Sequence, residues 1–240
     1  MLQLREKEIF ETLKKMSKFK FVIIGGYAVN AYTLPRFSVD CDIVIEDKEE
    51  LKEIEEILVD FGYVKEESNK DKTSYYGDFL RLEKDLGDNI KVSIDILIKE
   101  VLDRQTNATF SADWVFDNSE IRTLRGKTIT EELKLRIINL DALFVLKFVS
   151  CRLTDIKDIF MLAPNIKNKE WIKEEISKKY DFDKLFSKVE DKITSKQFKD
   201  SLQGVYGIID DKVFEKHKKA ILDLEKIKKL KSKKQCATTH

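Results

Sequence analysis

The chain has 240 residues, of which 42% are hydrophobic and 37% are charged, and its formal net charge is +1. This composition is typical of a folded globular protein and excludes an intrinsically disordered chain. Three cysteines without a CxxC spacing argue against a disulfide framework or a zinc site. The sparse cysteines fit a reducing cytoplasm, where we expect the protein to be located. No apolar run approaches the roughly 18 residues that span a membrane, so we expect no membrane partner.

The first 45 residues alternate between helix and strand patterns. Apolar residues at helical spacing predict an amphipathic helix over residues 4–16. The apolar run FKFVIIGG predicts a buried strand that ends in a tight turn. YAVNAYTL predicts a short helix that ends before Pro35, and SVDCDIVIE predicts a second strand.

A helix and a hairpin follow these elements. Asp47 and Glu50 predict a capping box at the start of a helix over residues 48–61. DFLRLE and IKVSIDILI, which flank a turn rich in Gly, Asp and Asn, predict a β-hairpin. Strands that alternate with helices in this way imply a small mixed sheet with helices packed against it.

The second half is predicted to be mostly helical, after one further hairpin in IRTLRGKTIT. We therefore predict an α+β fold, with a small mixed-sheet core over residues 1–138 and a helical region over 139–240 that ends in a basic tail. Residues 212–234 hold ten lysines against three acidic residues. This segment fits either contact with a polyanion such as RNA or a solvated helix end.

Three aspartates on predicted strands suggest a site for divalent cations. Side chains alternate along a strand, so Asp40 and Asp42 project from the same face. Asp95 lies within the apolar run VSIDILI, where a carboxylate needs a compensating partner. If the two strands are neighbours, the three carboxylates converge and suit Mg²⁺ or Mn²⁺. A pair of such ions is the arrangement for in-line phosphoryl transfer.

Simpler interpretations of these aspartates stay open. Asp40 can cap a turn, Asp42 can lie at an exposed strand edge, and Asp95 can pair with a buried arginine.

Two glycines come directly after the first predicted strand. Without Cβ atoms, Gly25 and Gly26 allow the backbone to approach a phosphate closely, although they can also form a plain tight turn. Ser38 offers a hydroxyl and Arg36 a cation nearby. We therefore include all four residues among the candidates for nucleotide binding.

The segments IIGGYAVNAYTLPRFSVDCDIVI and SIDILI resemble the fingerprint of the polymerase-β-like nucleotidyltransferase superfamily. The resemblance covers about residues 20–98. It implies that Gly25 and Gly26 belong to the phosphate-binding loop and that Asp40 and Asp42 are metal ligands. It also implies that Asp95 is the third ligand and activates the acceptor hydroxyl.

A longer segment, INLDALFVLKFVSCRLTDIKDIFML, resembles the nucleotidyltransferase toxins of abortive-infection AbiE systems. The matching residues are Lys147, Arg152, Asp155 and Asp158, while Thr154 stands where that family usually has an arginine. The resemblance implies that Lys147 contacts the triphosphate and that the other three support the site. From the residues alone, Lys147 can also extend to water, and the others can form ordinary helix pairs.

These patterns predict a metal-dependent enzyme that moves a nucleotidyl group (NMP) from a nucleoside triphosphate (NTP) to an acceptor hydroxyl. The AbiE resemblance and the lysine-rich segment favour RNA, tRNA in particular, as the acceptor, and a cognate antitoxin as a protein partner. Two alternatives remain at this point. One is an enzyme that modifies a small molecule such as an antibiotic, and the other is a non-catalytic nucleotide- or RNA-binding module on the same fold.

Overall fold

The computed structural model describes residues 2–66 and 78–226. Over these residues the chain forms nine strands and ten α-helices. The strands are β1 (Val22–Ile23), β2 (Asp40–Ile45), β3 (Val64–Lys65), β4 (Asp78–Asp85), β5 (Lys91–Ile98), β6 (Glu100–Leu102), β7 (Thr109–Ser111), β8 (Ser119–Arg125) and β9 (Glu132–Ile138). The helices are α1 (Leu2–Met16), α2 (Gly25–Val29), α3 (Lys48–Asp60), α4 (Ala112–Asp117), α5 (Leu140–Ser150), α6 (Leu153–Leu162), α7 (Lys169–Lys179), α8 (Phe182–Ile193), α9 (Phe198–Tyr206) and α10 (Asp211–Leu222).

A seven-stranded mixed sheet forms the centre of the first half, in the order β3-β4-β5-β2-β1-β9-β8. Strands β2 and β5 run parallel, as do β1 and β9, and the remaining neighbours are antiparallel. The predicted α+β fold with a mixed sheet is therefore confirmed. Both predicted hairpins are present, as β4–β5 and β8–β9.

The helix after the first strand differs from its prediction. It begins at Gly25 and ends at Val29, well before Pro35. Asn30 explains the early end, because its side-chain amide accepts from the backbone N–H of Arg36 and donates to the carbonyl of the same residue. Both bonds bend the chain into a loop instead of continuing the helix.

The start of α3 follows the prediction only in part. The side chain of Asp47 accepts hydrogen bonds from the backbone N–H groups of Glu49 and Glu50, so the predicted N-cap is confirmed. The carboxylate of Glu50 accepts instead from the backbone N–H of Lys20. The predicted capping box is therefore wrong, because Glu50 joins α3 to the chain that enters β1 and does not return to Asp47.

Residues 99–118 contain structure that the sequence patterns did not reveal. Strands β6 and β7 pair as a separate two-stranded ribbon, and α4 follows directly. Each of these elements has only three to six residues, and so short a segment carries little periodicity.

The helical half begins directly after the last strand of the sheet. Strand β9 ends at Ile138, and the side chain of Asn139 caps α5 by accepting from the backbone N–H of Ala142. The predicted helices of this half are present as α5 to α10. A division into two domains at residue 138 stays a prediction, and the end of the predicted basic tail, from residue 227 onward, lies outside the described residues.

The described helices include none that combines the length and the apolar character needed to span a bilayer.

Candidate active site

A cavity of about 910 Å³ opens between the sheet and helix α5. One wall is formed by side chains of β2, β4 and β5, and the opposite wall by residues of α5. Among the predicted site residues, seven line this cavity: Gly25, Asp40, Asp42, Asp95, Lys147, Arg152 and Asp155. Gly26, Arg36, Ser38 and Asp158 lie behind these residues, outside the lining itself.

The sheet register places two of the three aspartates side by side. Asp42 on β2 lies directly opposite Asp95 on β5, and Asp40 lies opposite Ser93. Residues two apart on a strand share a face, so Asp40 and Asp42 both project toward the cavity. The convergence expected from the sequence depends on β2 and β5 being neighbours, and they are.

The closeness of these carboxylates shifts their pKa values. Burial raises the pKa of Asp42 to about 7, and the charges of Asp40 and Asp95 add to the increase. The pKa of Asp95 is also raised by burial, which the neighbouring Arg81 partly offsets. The cluster therefore holds more negative charge than the surrounding protein neutralises, and this favours a bound cation.

Arg81 on β4 is a site residue that the sequence patterns did not single out. It lies directly opposite Asp95. Its Nε donates to Asp95 Oδ1 at 2.8 Å and its Nη2 to Oδ2 at 2.5 Å. Nη2 also lies 3.9 Å from Asp40 Oδ2. The open alternative in which Asp95 pairs with an arginine is thus what the structure contains, although the pair lines the cavity and is not sealed in the core.

Because Arg81 holds both oxygens of Asp95, the three aspartates do not form a ready-made metal centre. Over residues 2–66 and 78–226, no group of three or more His, Cys, Asp or Glu side chains is arranged to hold a metal ion. The sequence shows Arg81 only as an arginine in a predicted hairpin strand, and the register of β4 against β5 decides that this residue faces Asp95.

The two glycines lie where a side chain does not fit. A Cβ at Gly25 would lie 1.9 Å from Asp42 Oδ2, and Gly25 has a φ of +66°. A Cβ at Gly26 would lie 2.5 Å from Ser38 Oγ and 3.1 Å from Arg36 Nη2. The backbone at the start of α2 therefore runs against the carboxylate cluster, and glycine permits that approach.

Ser38 and Arg36 belong to the wall behind the carboxylates. The hydroxyl of Ser38 donates to Asp40 Oδ1 at 3.1 Å and so helps to orient that side chain. The guanidinium of Arg36 donates to both carboxylate oxygens of Asp158, each at 2.7 Å. Arg36 is thus engaged by a helix of the second half, and its predicted contact with nucleotide stays a prediction.

Asp158 lies at the centre of a buried ion network that joins the sheet to the helical half. Besides Arg36, it accepts a hydrogen bond from the hydroxyl of Tyr206 at 2.6 Å and lies 3.0 Å from Lys147 Nζ. Lys147 Nζ also donates to Asp155 at 2.8 Å. Burial opposes charge on Asp158, but Lys147 and Arg36 outweigh it and lower the pKa of Asp158.

Lys147 keeps its charge within this network. Burial alone would lower the pKa of Lys147, but the charges of Asp158 and Asp155 outweigh that effect and raise it. The ammonium group therefore stays protonated at neutral pH, at a position that lines the cavity.

Asp103 forms a second polar cluster in the cavity wall that the sequence patterns missed. Its Oδ1 accepts from the backbone N–H groups of Gln105 and Thr106 and from the hydroxyl of Thr106. Its Oδ2 accepts from the hydroxyl of Ser150 at 2.7 Å and lies 3.5 Å from Arg152 Nη2. Asp103 thereby fixes the loop after β6 against the end of α5, and Arg152 is placed beside it.

Comparison with known proteins places this fold in a family. Residues 17–227 match the profile of the family described as the nucleotidyl transferase AbiEii toxin of type IV toxin–antitoxin systems. No curated protein matches the chain. The fold is similar to MenT4, a nucleotidyltransferase toxin from Mycobacterium tuberculosis, with a TM-score of 0.55, 14% identity, and 95% of this chain and 84% of that chain covered.

The fold is also similar to an H. pylori protein described as a nucleotidyltransferase, with a TM-score of 0.51, 17% identity, and 94% of this chain and 95% of that chain covered. At these identities the two structures show the fold alone. The family profile covers most of the chain, including the loop of Gly25, the three aspartates and the segment from Lys147 to Asp158. The chain therefore belongs to the AbiEii family of nucleotidyltransferase toxins.

Proposed function

We propose that this chain is a metal-dependent nucleotidyltransferase that moves an NMP group from an NTP to a hydroxyl of RNA, with tRNA as the expected acceptor. The observation that carries the proposal is the pairing of Asp42 with Asp95 in the wall of the cavity, with Asp40 on the same face. In the reaction the acceptor oxygen forms a bond to the α-phosphorus. The bond from that phosphorus to the β-phosphate oxygen breaks, and pyrophosphate leaves.

The carboxylates fit Mg²⁺ or Mn²⁺ in part. Asp40 and Asp42 offer oxygen ligands only, which these hard cations prefer, and the pKa of Asp42, raised to about 7, indicates charge that a cation would offset. Asp95 fits as a third ligand once Arg81 releases its two oxygens. When bound, such cations would polarise the phosphate and favour deprotonation of the acceptor hydroxyl.

We assign further residues of the cavity to binding of the nucleotide. The backbone of Gly25 runs beside Asp42, where a phosphate can approach closely. Lys147 offers a charged ammonium group, which Asp155 and Asp158 hold in position. The acceptor hydroxyl loses its proton as the new bond forms, and we assign Asp95 to receive it. An apolar part of the lining suits the base: Leu80, Leu97, Val101, Leu102, Leu143 and Leu146.

Two features support RNA as the acceptor. The family is one of toxins, and the surface of α10 exposes Lys212, Lys216 and Lys219, which can contact a phosphate backbone. An antitoxin that counteracts this chain is part of the same proposal, since the family belongs to toxin–antitoxin systems.

The proposal is tested by incubating the purified full chain with α-labelled NTPs, Mg²⁺ and total RNA. We expect label in RNA, at a rate that Asp42→Asn lowers by about 100- to 1000-fold, because the variant loses a charged ligand of the cation that would stabilise the transferred phosphate. Asp191→Asn makes the same chemical change at an exposed position in α8 and should leave the rate unchanged.

The outcomes separate the alternatives. If the label is absent from RNA but present in an added hydroxylated small molecule, the acceptor is a small molecule and the RNA proposal is wrong. NTP binding measured by calorimetry, with no label transferred to any acceptor, would favour the non-catalytic module. Equal rates for Asp42→Asn and the unmodified chain would overturn the assignment of the site.

A further inference from the structure

Three charged residues lie in one row across neighbouring strands of the sheet. Arg81 on β4 is directly opposite Asp95 on β5, and Asp95 is directly opposite Asp42 on β2. All three line the cavity. Arg81 therefore stands on one side of Asp95, and the aspartate assigned to metal binding stands on the other.

The guanidinium of Arg81 occupies the position that a cation bound to Asp95 needs. It takes both oxygens of Asp95, at 2.8 and 2.5 Å, and its Nη2 lies 3.9 Å from Asp40 Oδ2. A carboxylate in this two-point contact has one electron pair of each oxygen engaged, and the positive guanidinium repels a cation that approaches the remaining pairs. A divalent ion and Arg81 thus compete for Asp95.

Arg81 is the more exposed partner of this pair. Its side chain is 33% exposed, whereas that of Asp95 is 7% exposed and fixed on a central strand. The pair between Arg36 and Asp158 provides a contrast, because those side chains are only 9% and 1% exposed. A guanidinium that is one-third exposed can leave its partner at a smaller cost than a buried one, since water can solvate it.

A second carboxylate is placed to receive Arg81. Glu66 Oε2 lies 4.0 Å from Arg81 Nε, and Glu66 also lines the cavity. The backbone N–H of Glu66 donates to the carbonyl of Arg81 at 3.1 Å, which holds the two residues side by side. Arg81 therefore has carboxylates within 4.0 Å on both sides, Asp95 and Glu66.

We propose that Arg81 is an exchangeable counter-ion of the third aspartate. It neutralises Asp95 in the absence of a divalent cation and moves toward Glu66 when the cation binds Asp95. This inference rests on the proposed function, because it concerns the same carboxylate cluster. Its consequence is that cation binding and the position of Arg81 are coupled, so that metal affinity is lowered by the work of displacing the guanidinium.

Mn²⁺ binding to the full chain, followed by electron paramagnetic resonance without nucleotide, tests the inference. We expect Arg81→Gln to bind Mn²⁺ roughly tenfold more tightly than the unmodified chain, because no guanidinium must be displaced. Lys65→Gln removes one positive charge from the same cavity without touching Asp95, and we expect it to change the affinity less than about twofold.

Arg81→Lys is the second variant, for use where Arg81→Gln does not fold, as judged by circular dichroism. It keeps the charge but loses the two-point contact with Asp95, so we expect an intermediate affinity. Equal tightening by Arg81→Gln and Lys65→Gln would overturn the inference, since charge alone would then explain it. Unchanged or weaker binding in both Arg81 variants would overturn it as well.

Glu66 provides an independent test through a double-mutant cycle. Glu66→Gln should weaken Mn²⁺ binding by about threefold in the unmodified chain, because the displaced guanidinium loses its second partner. In the Arg81→Gln background the same change should have no further effect. An equal effect in both backgrounds would mean that Glu66 acts on the cation directly, and the exchange would be wrong.

The failure of the inference and that of the proposed function give different results. If the unmodified chain binds Mn²⁺ and Asp42→Asn abolishes that binding while the Arg81 variants leave it unchanged, only the exchange is overturned. If none of these proteins binds Mn²⁺, both the cation site and the exchange are overturned.

Discussion

Gly25 lies directly against the carboxylate of Asp42, so that a methyl group at Gly25 would be 1.9 Å from Asp42 Oδ2. Gly25 also has a φ of +66°, a backbone angle that residues other than glycine rarely adopt. The start of α2 and the carboxylate on β2 therefore fit against each other only because residue 25 has no Cβ. Gly25 is therefore required for the position of the Asp42 carboxylate, in addition to its role in the turn of the backbone.

Gly25→Ala is expected to displace Asp42 and to lower nucleotidyl transfer by about 100-fold, because small displacements of reacting groups cost that much. The strained φ should also lower the free energy of unfolding by about 1–2 kcal/mol. Gly204→Ala in α9 is the matched control, since a Cβ there meets nothing within 4 Å. It should raise stability by about 0.5–1 kcal/mol and leave activity unchanged. Activity assays and thermal unfolding of both variants check this.

The metal-free protein is expected to lose stability, relative to Asp42→Asn, as the pH rises from about 4 to 7. The pKa of Asp42 is raised to about 7 in the folded chain, against about 3.9 in an unfolded one. The contribution of Asp42 to the free energy of unfolding is therefore fully present below pH 4 and is lost as the pH rises through 7. The upper limit of this contribution is about 4 kcal/mol. Urea unfolding of both proteins in EDTA at several pH values measures the difference.

Mg²⁺ should reverse this loss at pH 8, because a cation bound by the ionised carboxylates stabilises the folded state. Asp42→Asn should gain little from Mg²⁺. A pH dependence identical in the two proteins would show that Asp42 titrates normally.

Asp158→Asn is expected to destabilise the fold by about 3–5 kcal/mol, because it leaves Arg36 and Lys147 without their shared buried partner. In a chain of this size each kcal/mol corresponds to a change in melting temperature of about 2–4 °C. Arg125→Gln breaks the ion pair with Glu132, in which both side chains are more than half exposed, and should change stability by less than about 0.5 kcal/mol. Equal melting temperatures for the two variants would contradict the role assigned to the network.

Asp103→Ala is expected to free the loop after β6. The change removes the acceptor for the N–H groups of Gln105 and Thr106 and for the hydroxyl of Ser150. Hydrogen exchange at the amides of Gln105 and Thr106 should become roughly tenfold faster, corresponding to about 1.4 kcal/mol of local stability. Protection at the amides of β5 should stay as it is, and unchanged exchange in the loop would mean that other contacts hold it.

Several parts of the fold are local and were predictable for that reason. The spacing of apolar residues identified α1 and the helices from α5 to α10, because burial of one helix face repeats every three to four residues. The N-cap residue Asp47 identified the start of α3. Alternation along β2 placed Asp40 and Asp42 on one face. The predicted end of α2 was wrong because the side chain of Asn30 bonds to the backbone of Arg36, six residues further on, and apolar spacing does not reveal such a bond.

The sequence by itself determined the residue types of the site, namely three carboxylates and a glycine loop on strands and turns that local patterns reveal. Only the tertiary structure decided which charges meet. The register of β4 against β5 brings Arg81 to Asp95, and the packing of α6 against the loop of Arg36 brings Asp158 to that arginine. The physical reason is that ion pairs between distant segments depend on strand order, register and packing, and no periodicity within one segment encodes these.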